Sequence, residues 1–99
     1  MGWAYRHILQ LSEGETVQFR PRGNSMKPKI KSGQLVTVEP LEGDPEVGDI
    51  VLCKVKGKEY LHLVKAKRAD QYQIGNNQSG INGWIRRGSI FGICTKVED

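Results

Sequence analysis

Two apolar runs joined by a tight connection constrain this chain more than any other feature. Asp49-Ile50-Val51-Leu52-Cys53-Lys54-Val55 is followed by Lys56-Gly57-Lys58 and then by Glu59-Tyr60-Leu61-His62-Leu63-Val64-Lys65. Runs of this length, rich in β-branched and aromatic residues and interrupted by a glycine turn, pair as a β-hairpin. The first run is almost continuously apolar, which predicts a strand buried on both faces.

Shorter runs surround the hairpin. Thr16-Val17-Gln18-Phe19-Arg20 alternates and stops at Pro21, and Gln34 to Glu39 is a second such segment. Gln71-Tyr72-Gln73-Ile74 follows a turn at Asp70, and Ser89 to Val97 closes the chain. That makes six short strands. Between them lie the turn Ser12-Glu13-Gly14-Glu15, the Gly, Pro and acid-rich loop 40–47, and a loop from Gly75 to Gly83 carrying Asn76, Asn77, Ser79, Gly80 and Asn82. Residues 3–12 hold Trp3, Ala4, Ile8, Leu9 and Leu11, a partial helical pattern equally compatible with a packed arm. Met26 to Ile30 has room for one helical turn, with Pro28 tolerated only in its first turn.

Ninety-nine residues make one domain, with residues 1–15 as an N-terminal arm and 16–97 as the core. Twelve glycines and a 37% hydrophobic share fit a turn-rich β domain better than a helical bundle. The expected fold is mainly β, a small coiled antiparallel sheet or partly open barrel with little helix. No apolar stretch approaches the roughly 18 residues that a membrane span needs. A secretory leader is not visible, and Arg6 stands where a myristoylation signal wants Ser or Thr. A soluble, cytoplasmic protein is the expectation. Cys53 and Cys94 lack CxxC spacing and sit in apolar runs, so they read as two buried thiols rather than zinc ligands.

The net charge is +4, and its distribution is uneven. Arg20, Arg22, Lys27, Lys29 and Lys31 fall within residues 20–31, where there is no acid; Lys54, Lys56, Lys58, Lys65, Lys67 and Arg68 form a second group. Such patches can meet nucleic-acid backbones, but aromatic interleaving is poor. A solvated face, or a surface that favours an acidic partner, accounts for them better.

The candidate for chemistry is Ser25, in Arg22-Gly23-Asn24-Ser25-Met26-Lys27-Pro28. A serine on a tight turn before a strand can present its hydroxyl away from the sheet, yet it needs a base to take its proton. His7 and His62 are available. His62 lies mid-strand between two leucines, so alternation sends it to the opposite face, exposed or in a cleft. A neutral imidazole suits general-base work near neutrality. Lys65 and Lys67 are rivals only if burial lowers their pKa.

The ordered set Gly23-Asn24-Ser25-Met26, Pro28, Gly33, Gly48-Asp49-Ile50-Val51, a strand carrying a base, and Gly75-Asn76-Asn77 resembles the LexA/signal peptidase superfamily of serine proteases. The likeness runs from about Phe19 to Val97. It implies a coiled β fold with Ser25 as nucleophile and peptide or protein segments as substrates, without a cofactor or metal. LexA-like members pair serine with lysine, and eukaryotic-type signal peptidases pair it with histidine. Ungapped spacing puts His62 in the base position, 37 residues after Ser25, with Lys65 as the runner-up. The resemblance also implies an oxyanion and cleft region at Asn24, Ser25 and Met26, with Met26 and Ile30 walling the cleft.

The chain departs from the family pattern in specific places. Leu63-Val64 follows the histidine where eukaryotic-type enzymes have Arg-Val, and the 75–83 loop has no aspartate. Asn76, Asn77 or Asn82 would have to orient the base. Gly23 stands where bacterial signal peptidases often supply an oxyanion hydroxyl, so backbone N–H groups would serve instead. Ala-Gly, the LexA-type self-cleavage bond, occurs nowhere. These differences support two readings of different kind: a Ser25–His62 peptidase, and a catalytically weak accessory module acting through protein contacts, with a homodimer among its forms. A basic nucleic-acid-binding domain is a third, resting on charge alone.

Overall fold

The computed structural model describes residues 2–99. A helix, α1 (Tyr5–Ser12), precedes strands β1 (Val17–Phe19), β2 (Leu35–Pro40), β3 (Ile50–Val55), β4 (Lys58–Arg68), β5 (Gln71–Gly75) and β6 (Ile81–Arg86). A 3₁₀ turn at Arg87–Ser89 then leads into β7 (Ile90–Glu98). All seven strands form one sheet in the order β1-β2-β7-β3-β4-β5-β6, with every neighbouring pair antiparallel. The sheet coils but does not close, in keeping with the mainly β expectation.

The hairpin forms as its sequence predicts. Lys56 and Gly57 both adopt positive φ, 51° and 81°, the backbone of a two-residue turn whose twist matches the flanking strands. Val55 then faces Lys58, and Val51 faces His62. Both faces of β3 are buried. Leu52 joins a cluster with Leu61, Leu63, Val36, Val38, Met26, Ile30 and Leu11. Val51, Cys53 and Val55 join Val64, Tyr72, Ile74, Ile85 and Ile90 on the other side. Each fully buried aliphatic side chain of this kind contributes roughly 1.5–3 kcal/mol.

Four irregularities in register, at Thr37/Val38, Leu52/Cys53, Val64/Ala66 and Ile74/Gly75, bend the sheet and raise its twist. Coiling brings β6 over β3, where a Cβ on Gly83 would lie 3.2 Å from Val55 Cγ1. The last strand, β7, inserts between β2 and β3. There a Cβ on Gly92 would sit 2.7 Å from Glu39 O and 2.8 Å from Val38 Cγ1, so only glycine fits.

The N-terminal segment resolves as a helix. Ala4 and Leu11 are buried and Ile8 packs beside them on the sheet, while Tyr5 and Leu9 stay exposed. The buried Glu59 carboxylate accepts a 2.8 Å hydrogen bond from the Ala4 N–H, the task of a helix N-cap side chain. No helix among the described residues is long and apolar enough to cross a membrane.

Three local expectations are corrected. The 75–83 loop is shorter than its composition suggests, because Ile81–Arg86 pairs with β5 as a seventh strand. Pairing overrides the turn preference of Asn82 and Gly83, and Gly83 reaches φ 149° there. Met26–Ile30 is a set of turns with one Ile30 N–H to Met26 O bond of 3.0 Å, not a helix. Pro28 lacks an N–H and disfavours helical geometry at Lys27. Of the two thiols, Cys53 is fully buried but Cys94 is half-buried, with Sγ 3.6 Å from Lys96 O.

Candidate active site

Ser25 sits on an exposed turn whose neighbour, Met26, is buried in the core. The anchored methionine fixes the turn that presents the serine to the cleft. The loop between β5 and β6 braces the same turn from the far side. Asn77 N–H donates to Ser25 O at 2.9 Å and Asn77 Nδ2 donates to Lys27 O at 2.8 Å. Gln78 Nε2 adds a 3.2 Å bond to Lys27 O. Asn76 shapes the loop itself, its Oδ1 accepting from the N–H groups of Gln78 and Gly80 at 2.7 and 2.8 Å.

His62 reaches Ser25 from β4. Ser25 Oγ lies 3.2 Å from His62 Nε2, and His62 Nδ1 lies 2.6 Å from Asn82 Oδ1. The three side chains therefore form a hydrogen-bonded line from a turn, through one strand, to another. An amide oxygen on Nδ1 selects the tautomer with the proton on that nitrogen, which leaves Nε2 to accept the serine proton. Burial pushes the His62 pKa below its ordinary value, while the Asn82 hydrogen bond opposes that shift. The imidazole is thus neutral at pH 7. Tyr60 lies alongside, with ring centroids 4.9 Å apart.

Of the three asparagines predicted to orient the base, Asn82 alone meets the ring; Asn76 and Asn77 build and clamp the loop. Lys65, the alternative base, sits at the Val64/Ala66 register shift and donates its amine to Asn76 O at 2.9 Å. The serine hydroxyl is bonded to His62 instead. His62 is in a cleft and is only 8% exposed. Gly23 N–H is taken by Ser32 Oγ at 3.2 Å. No hydrogen bond among the described residues uses the N–H of Asn24, Ser25 or Met26.

The cleft has a volume of about 480 Å³ and runs between the β1 end of the sheet and the first half of β4. That half of β4 has an open edge, since β5 pairs only from Leu63 onward. Met26 and Ile30 line it as the sequence suggested. Trp3, His7 and Glu59 also line it, and sequence reasoning did not place them there. The Trp3 to His7 spacing of one helical turn is the only signal that could have joined those two. His7 stacks on Phe19 rather than bonding Ser25, and its buried Nδ1 has no partner among the described residues. No group of three or more His, Cys, Asp or Glu side chains among the described residues is arranged to hold a metal ion.

Comparison with protein families matches residues 5–81 to the model described as Peptidase S24-like. The matched span contains Ser25 and His62 and stops one residue before Asn82. A comparison with curated proteins found no match.

Proposed function

The chain belongs to the Peptidase S24-like family, and on that premise we propose that it hydrolyses peptide bonds with Ser25 as nucleophile, His62 as general base and Asn82 as the residue that positions the base. The observation that carries this reading is the line Ser25 Oγ, His62 Nε2, His62 Nδ1, Asn82 Oδ1, at 3.2 and 2.6 Å, opening into a cleft. A substrate strand aligns along the open edge of β4. Glu59 O points to that side, where it accepts the Trp3 indole N–H. Strand alternation therefore turns the N–H and C=O of Leu61 the same way, ready to pair with a substrate backbone.

Ser25 Oγ attacks the carbonyl carbon as its proton passes to His62 Nε2. The carbonyl oxygen takes the negative charge and is held by uncommitted backbone N–H groups around Ser25 and Met26. The imidazolium then gives its proton to the leaving amine, and the C–N bond breaks to leave an ester on Ser25. Water, deprotonated by the same nitrogen, attacks the ester, and the proton returns to Ser25 Oγ as the acid leaves. Asn82 holds the tautomer throughout, but its neutral amide stabilises the imidazolium less than a carboxylate does.

That last property favours a second reading, a protein-binding module that retains the cleft with slow or absent turnover. A serine-directed fluorophosphonate distinguishes the two. Labelling of the natural protein that Ser25→Ala and His62→Ala both abolish supports the peptidase. Labelling that survives His62→Ala but not Lys65→Ala moves the base to Lys65. A protein that is never labelled, yet binds peptides, is the module.

A further inference from the structure

Two groups of residues in the cleft lining are chemically unlike. Trp3, His7 and Phe19 form an aromatic wall. Trp3 and Phe19 meet edge-on at 5.5 Å, and His7 stacks on Phe19 at 4.5 Å. Burial keeps His7 neutral at pH 7, so this wall carries no charge. Trp3 remains half exposed, leaving a face for a ligand. Its indole bonds Glu59 O at 3.2 Å and so ends the open edge of β4. Glu59 is three residues from His62, roughly 10 Å along a strand.

A second group in the lining is cationic. Arg20, Arg22 and Lys31 line the cleft, and Lys27 and Lys29 lie in the same segment. None of the ion pairs among the described residues uses any of the five. Arg20 is tied by Nη1 to Gly33 O at 2.8 Å. Glu59, the one carboxylate among the lining residues, is 9% exposed and committed to the Ala4 N–H. The cleft lining therefore combines three cations and a single, hydrogen-bonded carboxylate with an aromatic wall.

We propose that the cleft selects an extended peptide segment carrying a large apolar side chain against Trp3, His7 and Phe19 and a carboxylate facing Arg20, Arg22 and Lys31. The apolar residue sits about three positions from the bond held at Ser25. That spacing rests on the peptidase reading, whereas the pairing of an apolar with an acidic residue rests on the cleft walls alone. Edge pairing along β4 supplies backbone affinity with little preference, so the two walls decide which sequences enter.

The test uses fluorescent, end-blocked peptides with a central Ala-Ala, a Phe three residues from it and Glu on the flanks. Versions replace Phe by Gly or Glu by Lys. Binding is read by anisotropy on Ser25→Ala, so nothing is consumed. The Phe/Glu peptide should bind about tenfold more tightly than either exchanged version. Raising salt from about 0.05 M to about 0.5 M should erode the Glu preference and spare the Phe preference. Trp3→Ala should level Phe against Gly, and Arg22→Glu with Lys31→Glu should reverse Glu against Lys. All versions binding within about twofold of one another, or Lys preferred by the native rim, would overturn the inference. Cleavage by the natural protein is scored separately on the same peptides. Indiscriminate cleavage sinks this inference and leaves the peptidase standing; selective binding without cleavage does the reverse; neither binding nor cleavage removes both.

Discussion

His62 Nδ1 and Asn82 Oδ1 are 2.6 Å apart, the shortest link in the chain of contacts that ends at the Ser25 hydroxyl. The two residues sit 20 apart in sequence, on strands that are not hydrogen-bonded neighbours, because β5 lies between them. An amide rather than a carboxylate therefore holds the imidazole ring. It sets the tautomer without adding negative charge to a ring that burial already disfavours protonating.

Asn82 substitutions should separate orientation from charge. Asn82→Ala removes the acceptor and should slow fluorophosphonate labelling of Ser25 by about 10²-fold or more, as losing a base's orienting partner does. Asn82→Asp keeps the geometry and adds the charge, so labelling at pH 8 should be retained or faster while the acid limb moves to higher pH. A rate unchanged in Asn82→Ala would show that the ring needs no partner.

The pH dependence follows from His62. Its pKa is lowered by burial, so the neutral ring persists below the ordinary value of 6.5. The labelling rate should therefore hold as pH falls past 6.5 and decline only as protonation reaches the shifted value. Stability has the same sign. A histidine with a depressed folded pKa binds protons more readily when unfolded, so its contribution is present above 6.5 and is lost as pH falls through the folded pKa. Labelling profiles with an inflection above 6.5 would contradict this.

Glu59 anchors α1 to β4 through the Ala4 N–H. Glu59→Ala leaves that donor and the helix end without a partner and should cost about 1–2 kcal/mol in urea unfolding. Trp3, bonded to Glu59 O and packed on Phe19, should show the loosening as a red-shifted emission in the variant. Trp84, held near Arg68 at the far end of the sheet, complicates the readout, so Trp84→Phe is the background.

Gly92 tests the insertion of β7. A Cβ at this position meets Glu39 O and Val38 Cγ1 at 2.7 and 2.8 Å, and Leu11 Cδ1 at 3.0 Å. Two of these atoms belong to the β2 side and one to α1, so relief requires strand and helix to move together. Gly92→Ala should destabilise by about 1–3 kcal/mol in thermal or denaturant unfolding. A neutral result would mean that β7 is not seated between β2 and β3 in this way.

Cys53 offers a check on burial. Its thiol is pushed up to about 12 by the surrounding apolar side chains. It should resist a thiol reagent at pH 8 until the chain unfolds, while half-buried Cys94 reacts first.

Local chemistry already determined much of this protein. The apolar runs at 49–55 and 59–65 with Gly57 between them specify the central hairpin, because strand propensity, burial and turn geometry are all properties of adjacent residues. Ser25 on a turn and His62 opposite its flanking leucines follow from the same short-range rules. What no stretch of sequence carries is the partner of a distant residue. Asn82 looks like loop chemistry until β6 pairs with β5, and among three nearby asparagines only coiling of the sheet decides which one faces the ring. The contacts of Lys65 are no more local: at a register shift in β4, its amine bonds Asn76 O while the serine hydroxyl bonds His62. Trp3 and His7 become cleft residues only when Glu59, far along the chain, captures the start of α1. Each outcome depends on long-range packing, whose free energy is shared among many residues and written in none of them singly.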